Sequence, residues 1–250
     1  MQAFITLVRR ELGGYFNSFT GYVVLAVVLL LIGLSFVGMI DYVGSETTPV
    51  PITQLYYRNL FFWMILLLAA PVITMRSFAL EKDSGTFETL MTAPVSDRQV
   101  VAAKFVGALV FYSITWLPLL ADALVLRWFG GVQAAFDIGL LASTALGIIL
   151  IGCLYMSLGV FASSLTRSQV TAAMISFAVG ITMFMLSFAG VGLTPGSGWV
   201  VAVLDAVNLR QHMEGFAGGV IDTRAVVLLV SLTAFFLFLT LRVVESRRWK

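Results

Sequence analysis

Along this chain long apolar stretches alternate with short polar ones, and six of the apolar stretches carry almost no charge: 21–40, 59–75, 105–126, 138–165, 169–193 and 225–241. A helix needs about 20 such residues to cross the hydrocarbon core of a bilayer. The pattern therefore predicts an all-α membrane protein with six transmembrane helices in a single domain over residues 1–250. The second and sixth stretches, 17 residues each, are at the short limit, so their ends are expected to extend into the flanking polar residues.

Outside the spans, periodicity predicts three further features. In residues 2–19, Phe4, Ile5, Val8, Leu12, Tyr15, Phe16 and Phe19 share one helical face opposite Thr6, Arg10 and Asn17. That pattern predicts an amphipathic helix lying in the membrane interface over residues 1–20. Gly13 and Gly14 weaken it by about 1 kcal/mol each relative to alanine, which leaves room for a break; the alternative is an ordinary lead-in to the first span. The segment 194–224 reads as a loop, with a Pro195-Gly196-Ser197-Gly198 turn and a short apolar run from Trp199 to Leu204.

The third feature is the polar island 76–104. It holds Arg76, Glu81, Lys82, Asp83, Glu88, Asp97, Arg98 and Lys104, eight of the 28 Asp, Glu, Lys and Arg residues. Charge that dense is expected to lie in water and to meet a partner outside the membrane. Asp83 and Ser84 are placed to cap a short helix carrying Phe87, Leu90 and Met91 on one face, and Pro94 ends it. Ser96 and Gln99 then form a capping box, with Val95 and Val100 spaced as a hydrophobic staple. A second helix starts at Asp97 and runs into the third span. The plain alternative is a solvated loop.

Composition and charge sharpen this picture. With 60% hydrophobic and 11% charged residues, a soluble domain is excluded. The basic residues divide eleven to four: Arg9, Arg10, Arg76, Lys82, Arg98, Lys104, Arg167, Arg242, Arg247, Arg248 and Lys250 on one side of the six spans, against Arg58, Arg127, Arg210 and Arg224 on the other. Both termini and the island are then expected to be cytoplasmic. The net charge of +2 follows from that bias, and no nucleic-acid partner is implied. No cleaved signal peptide is expected, because Arg9, Arg10 and Glu11 precede the first span and no small-residue cleavage site follows it. The lone Cys153 excludes an intrachain disulfide.

Few side chains are equipped for chemistry. None of Lys82, Lys104 and Lys250 follows a Gly-x-x-x-x-Gly run, so no phosphate-cradling loop forms. His212 is the single histidine, which excludes histidine-based metal clusters and a Ser-His-Asp triad; no metal site and no catalytic residue are expected. Asp122, near the end of the third span, is read as a local partner of Arg127, with a proton-relay role as the alternative. Phe177, Phe184 and Phe188 form a stripe on the fifth span that reads either as core packing or as an apolar translocation wall. Pro71 and Pro118 are expected to kink the second and third spans.

The stretch PVITMRSFALEKDSGTFETLMTAPVSDRQVVAAKF resembles the first cytoplasmic loop of permease subunits of type-2 exporter ABC transporters, in particular the gliding-motility-associated branch. Glu81, Lys82, Gly85, Thr86, Glu88, Leu90, Pro94, Val95, Ser96 and Lys104 match the family pattern, and RREL before the first span, NLRQHMEGFAGGVIDTR before the last and the tail SRRWK are similar as well. The resemblance implies that 76–104 contains a coupling helix contacting a separate ATPase, with Glu81, Lys82, Gly85, Thr86, Phe87, Glu88, Leu90, Met91 and Pro94 as coupling residues. Phe87, Leu90 and Met91 would dock into the ATPase, ringed by Glu81, Lys82 and Glu88. It also implies two copies of an ATPase binding ATP and Mg, no cofactor in this chain, a second permease half, contact with membrane lipid, and a place in the bacterial inner membrane. The function read is export driven by ATP hydrolysis in a partner; the alternative is an anchor subunit of an ATPase-driven motility or signalling complex.

Overall fold

The computed structural model describes residues 2–45, 52–88, 95–129, 137–189 and 206–246, with isolated positions 198 and 204. Among them every regular element is a helix. We number these α1 (Gln2–Phe16), α2 (Phe19–Ser45), α3 (Ile52–Arg58), α4 (Leu60–Thr74), α5 (Ala79–Asp83), α6 (Asp97–Thr115), α7 (Pro118–Phe129), α8 (Ile138–Leu165), α9 (Gln169–Ala189), α10 (Leu209–Ala217) and α11 (Thr223–Ser246). Six helical stretches are long and apolar enough to cross a membrane: Phe19–Asp41, Leu60–Asp83, Asp97–Val125, Ile138–Leu165, Gln169–Phe188 and Thr223–Ser246. The protein is an all-α membrane protein, as the apolar pattern predicts, and the two short spans do extend into polar flanks.

Burial decides the arrangement. The fourth span, α8, is 72% buried over its most apolar stretch, against 17% for α11, so α8 is the central post and α11 an outer stave packed on it. Small residues let neighbours approach α8 closely. A Cβ at Gly159 would lie 1.9 Å from Thr74 Oγ1, and one at Gly152 would lie 2.1 Å from Tyr112 Cε1. Hydroxyls hold these crossings with bonds that cost little to make inside a bilayer: Tyr112 donates to the Ile148 carbonyl at 3.3 Å and Tyr155 to the Gly180 carbonyl at 3.1 Å. Because Thr74 is itself fully buried, Gly159→Ala should lower stability by about 1–3 kcal/mol through overpacking. Thermal unfolding in detergent reads this, and an unchanged midpoint would mean that α4 and α8 are not in such contact.

The two prolines act differently. Pro71 lies within the unbroken helix α4, which ends at Thr74 with Met75 N donating to the Pro71 carbonyl. Pro118 opens α7 after an interruption at Trp116–Leu117, so the third span is divided there; proline at a first helical position has no amide proton to lose. The break that Gly13 and Gly14 leave room for does not occur: α1 continues to Phe16, and a turn at Asn17–Ser18 separates it from α2. Packing on α6 compensates the poor propensity of the glycines. Tyr15 stacks on Phe111 with ring centroids 4.9 Å apart, and Phe16 meets the same ring edge-on at 5.4 Å.

At one end of the bundle α3 and α10 form a lid. Leu209, Met213, Phe216 and Ala217 of α10 are fully buried, Ser143 of α8 donates to the Phe216 carbonyl, and Thr53 of α3 donates to the Ala217 carbonyl, both at 2.8 Å. The segment 194–224 reads as a loop in the sequence, and part of it, α10, is instead a helix that seals the core. Trp199 and the turn at residues 195–197 fall outside the described residues. His212 is occupied locally, with Nε2 2.8 Å from the Ala206 carbonyl.

Candidate functional site

The island 76–104 sits at the opposite end of the bundle, and the structure folds it back onto the protein. Helix α5 is only five residues long, and its N-cap residue Phe78 offers no side-chain acceptor. Ser163 of α8 replaces that cap: its Oγ accepts from the amides of Phe78 and Ala79, each at 3.0 Å, and donates to the Met75 carbonyl at 3.0 Å. At the other end of α5, the Lys82 ammonium donates to the Ser164 carbonyl. That carbonyl belongs to the last turn of α8, where the helix dipole favours a cation. One short helix is thus stapled at both ends to the central post.

Ser84, expected to cap the following helix, ends α5 instead. It is the C-cap, and its Oγ donates to the Leu80 carbonyl at 2.9 Å. Gly85 then takes φ +74°, a left-handed conformation in which a β-carbon is strained. Helical backbone resumes at Thr86–Glu88, and the Thr86 and Ser84 hydroxyls lie 2.9 Å apart. Leu90, Met91 and Pro94 fall outside the described residues.

Phe87 is the main correction. Expected as an outward anchor, it is 9% exposed and lies in a small core with Phe78, Val100, Val101, Val160 and Val244. Its ring meets Phe78 edge-on at 6.3 Å, and the Lys82 ammonium lies 5.4 Å from its centroid. The physical reason is local: the Gly85 turn directs the new helix back under α8 and the end of α11. Lys82 is likewise buried rather than on a solvated rim, whereas Glu88 is exposed. The Ser96–Gln99 capping box forms, with bonds of 3.3 and 3.2 Å; Val100 is buried in the same small core as Phe87, and Val95 packs against that core.

The charges of the island do not all lie in water. Lys104, on α6, has 2% of its side chain exposed, and its Nζ lies 3.0 Å from Glu11 Oε1 on α1 and 2.9 Å from Glu81 Oε1 on α5. Arg10 adds contacts of 2.7 Å to Glu81 and 3.2 Å to Glu11. One buried ammonium therefore ties together the amphipathic helix, the island and the third span. A Cβ on Gly107 would lie 2.9 Å from Glu11 Cβ, so the small residue permits the close approach of α1 and α6. Nearby, Tyr15 donates to the Ile73 carbonyl at 3.2 Å; burial first, then the Glu11 charge, push its phenol up, which keeps it a neutral donor.

Sequence reading singled out Glu81, Lys82 and Lys104 and missed Glu11 and Ser163 as their partners. A signal existed for Glu11, which falls at the edge of the apolar face of α1 beside Phe4 and Tyr15. The fifth-span stripe is divided: Phe184 is buried against Trp63 at 4.8 Å, whereas Phe177 and Phe188 are partly exposed. Core packing explains only the first. Among the described residues no cluster of His, Cys, Asp and Glu has metal-site grouping.

Six spans, a helical lid at one end and a charged segment locked to the bundle at the other define a multi-pass membrane protein. The family model for ABC-2 family transporter proteins matches residues 22–244. The chain belongs to that family, and is a multi-pass permease subunit of an ABC transporter; such subunits are transmembrane components and not catalytic. The match begins after α1 and stops before the SRRWK tail, so the RREL and SRRWK similarities both lie outside it. No curated protein matches the chain.

Proposed function

We propose that this permease is one half of an ATP-driven exporter of the gliding-motility-associated kind, moved by a separate ATPase that contacts it through the 76–104 segment. One observation carries the reading: Lys104 joins that segment to α1 and to the third span in a single ion cluster. A push on α5 is then delivered to a transmembrane helix through buried ionic contacts rather than through a loose loop. Leu90, Met91 and Pro94 keep the coupling role that the resemblance implies, the exposed Glu88 joins them in it, and Glu81, Lys82, Gly85, Thr86 and Phe87 hold the segment up to Glu88 against the bundle. ATP and Mg belong to two copies of the partner, and a second permease half completes the pathway, with Phe177 and Phe188 available on its wall.

Co-purification with the ATPase and ATP-dependent movement of a substrate in proteoliposomes test this function. An ATPase that binds yet moves nothing would assign the chain to the anchor role. The basic bias supports a cytoplasmic position for the termini and the island. In a Cys153→Ser background, Ser84→Cys should label only from the cytoplasmic side and Val220→Cys, which is exposed near the opposite end, only from the other. Labelling of both from one side would overturn the orientation.

A further inference from the structure

A half-open cavity of about 650 Å³ lies between α1, the α4–α5 elbow and α6, lined by Arg10, Glu11, Arg76, Ser77, Glu81 and Lys104 among others. Its polar groups are not all satisfied. Lys104 and Arg10 meet the two carboxylates through Oε1 of each, and Glu81 Oε2 is buried with no partner. Ser77 is 3% exposed; the Tyr15 proton is directed at the Ile73 carbonyl, and the Ser77 hydroxyl faces the Tyr15 oxygen without making a hydrogen bond of ordinary length. Arg76 donates to Ser18 Oγ at 3.2 Å and Thr20 Oγ1 at 3.1 Å, and among the described residues it faces no carboxylate within ion-pair distance. The cavity therefore presents an unneutralised guanidinium with a loosely held hydroxyl on one side and a carboxylate oxygen lacking a donor on the other.

We infer that this cavity binds a phospholipid headgroup bearing both a phosphate and a primary ammonium, as in phosphatidylethanolamine. A phosphate alone satisfies Arg76 and Ser77 and leaves Glu81 Oε2 without a donor. An ammonium alone does the reverse. Only a ligand with both charges satisfies all three groups, and a buried polar atom left without a partner destabilises the structure that holds it. The source is the membrane rather than the solvent because of where Arg76 is held. Its two hydroxyl partners, Ser18 and Thr20, flank Phe19, which is 85% exposed, and Tyr22 beyond them is 60% exposed; aromatic side chains presented at the start of a span mark the depth of lipid headgroups. The inference needs the membrane position of α1 and α2 and does not need the transport reading, so either can fail alone.

The test is headgroup selectivity of the full chain in detergent, read by native mass spectrometry of retained lipid and by the thermal midpoint. Phosphatidylethanolamine should be retained at least tenfold more than phosphatidylcholine, whose trimethylated nitrogen has no N–H to donate, and more than phosphatidylglycerol, which has no ammonium. Arg76→Gln should abolish that selectivity and Arg76→Lys should restore part of it. Ser77→Ala should weaken it with no change in fold. Equal retention of the three lipids means bulk annular contact only and overturns the proposal, and needs no variant to be read. Soluble phosphoethanolamine stabilising the protein as much as the lipid would overturn the membrane source. Retention unchanged in Arg76→Gln, with the ATPase lost in a pull-down, would assign the cavity to the protein partner and overturn the lipid.

Discussion

Lys104→Met is expected to destabilise the protein by about 3 kcal/mol, because removing one member of a buried ion cluster leaves its partners charged and without compensation. Two carboxylates, Glu11 and Glu81, converge on this one ammonium. Arg10 stays in contact with both, which holds the loss near the lower end of the range for buried pairs. Methionine keeps most of the volume of the side chain, so the measured loss reports charge and not a cavity. For a chain of this size about 3 kcal/mol corresponds to a fall of roughly 6–12 °C in the unfolding midpoint. Arg10→Ala, at a side chain 52% exposed, should cost at most about 1 kcal/mol, as surface pairs do. Glu11→Gln should fall between the two, since Lys104 keeps Glu81. The order is measured by thermal unfolding of the purified permease. If Lys104→Met proves as mild as Arg10→Ala, the ammonium is solvated and the ion cluster does not join the three elements.

The spans were legible because length and apolarity in a bilayer are local properties of the chain, and backbone hydrogen bonding in lipid leaves helix as the only form for a segment of that length that does not close into a barrel. The capping box at Ser96 was legible for the same reason, since all its atoms lie within four residues. What the sequence could not show is which charges would be buried. Glu81 and Lys82 are adjacent in the chain, yet one turns to Lys104 and Arg10 and the other to the end of α8. That division depends on Ser163 docking α5 onto α8, a contact spanning more than 80 positions. Phe87 was misread for a related reason. A residue on an apolar helical face announces that it will be buried, and periodicity alone does not say whether a partner or the chain itself will bury it.

Phe87→Ala is expected to cost about 3 kcal/mol of permease stability, the usual loss for truncating a buried aromatic to alanine at the lower end of its range, since the small core it fills lies at the edge of the bundle. The ring packs on Phe78 and beneath the Lys82 ammonium, so truncation also removes a cation–aromatic contact worth about 1 kcal/mol. Volume-conserving Phe87→Leu should recover most of the loss. The ATPase provides the decisive comparison. If Phe87 belongs to the core of its own chain, ATPase captured per folded permease should be nearly unchanged in both Phe87→Leu and Phe87→Ala, and total capture should fall only as the folded fraction falls. An outward anchor behaves in the opposite way: stability stays constant while association weakens by about 1–3 kcal/mol, because an anchor's contribution is made across the interface and not within the fold. Measuring both quantities on the same preparation separates the cases, and weakened capture at constant stability would return Phe87 to the docking surface.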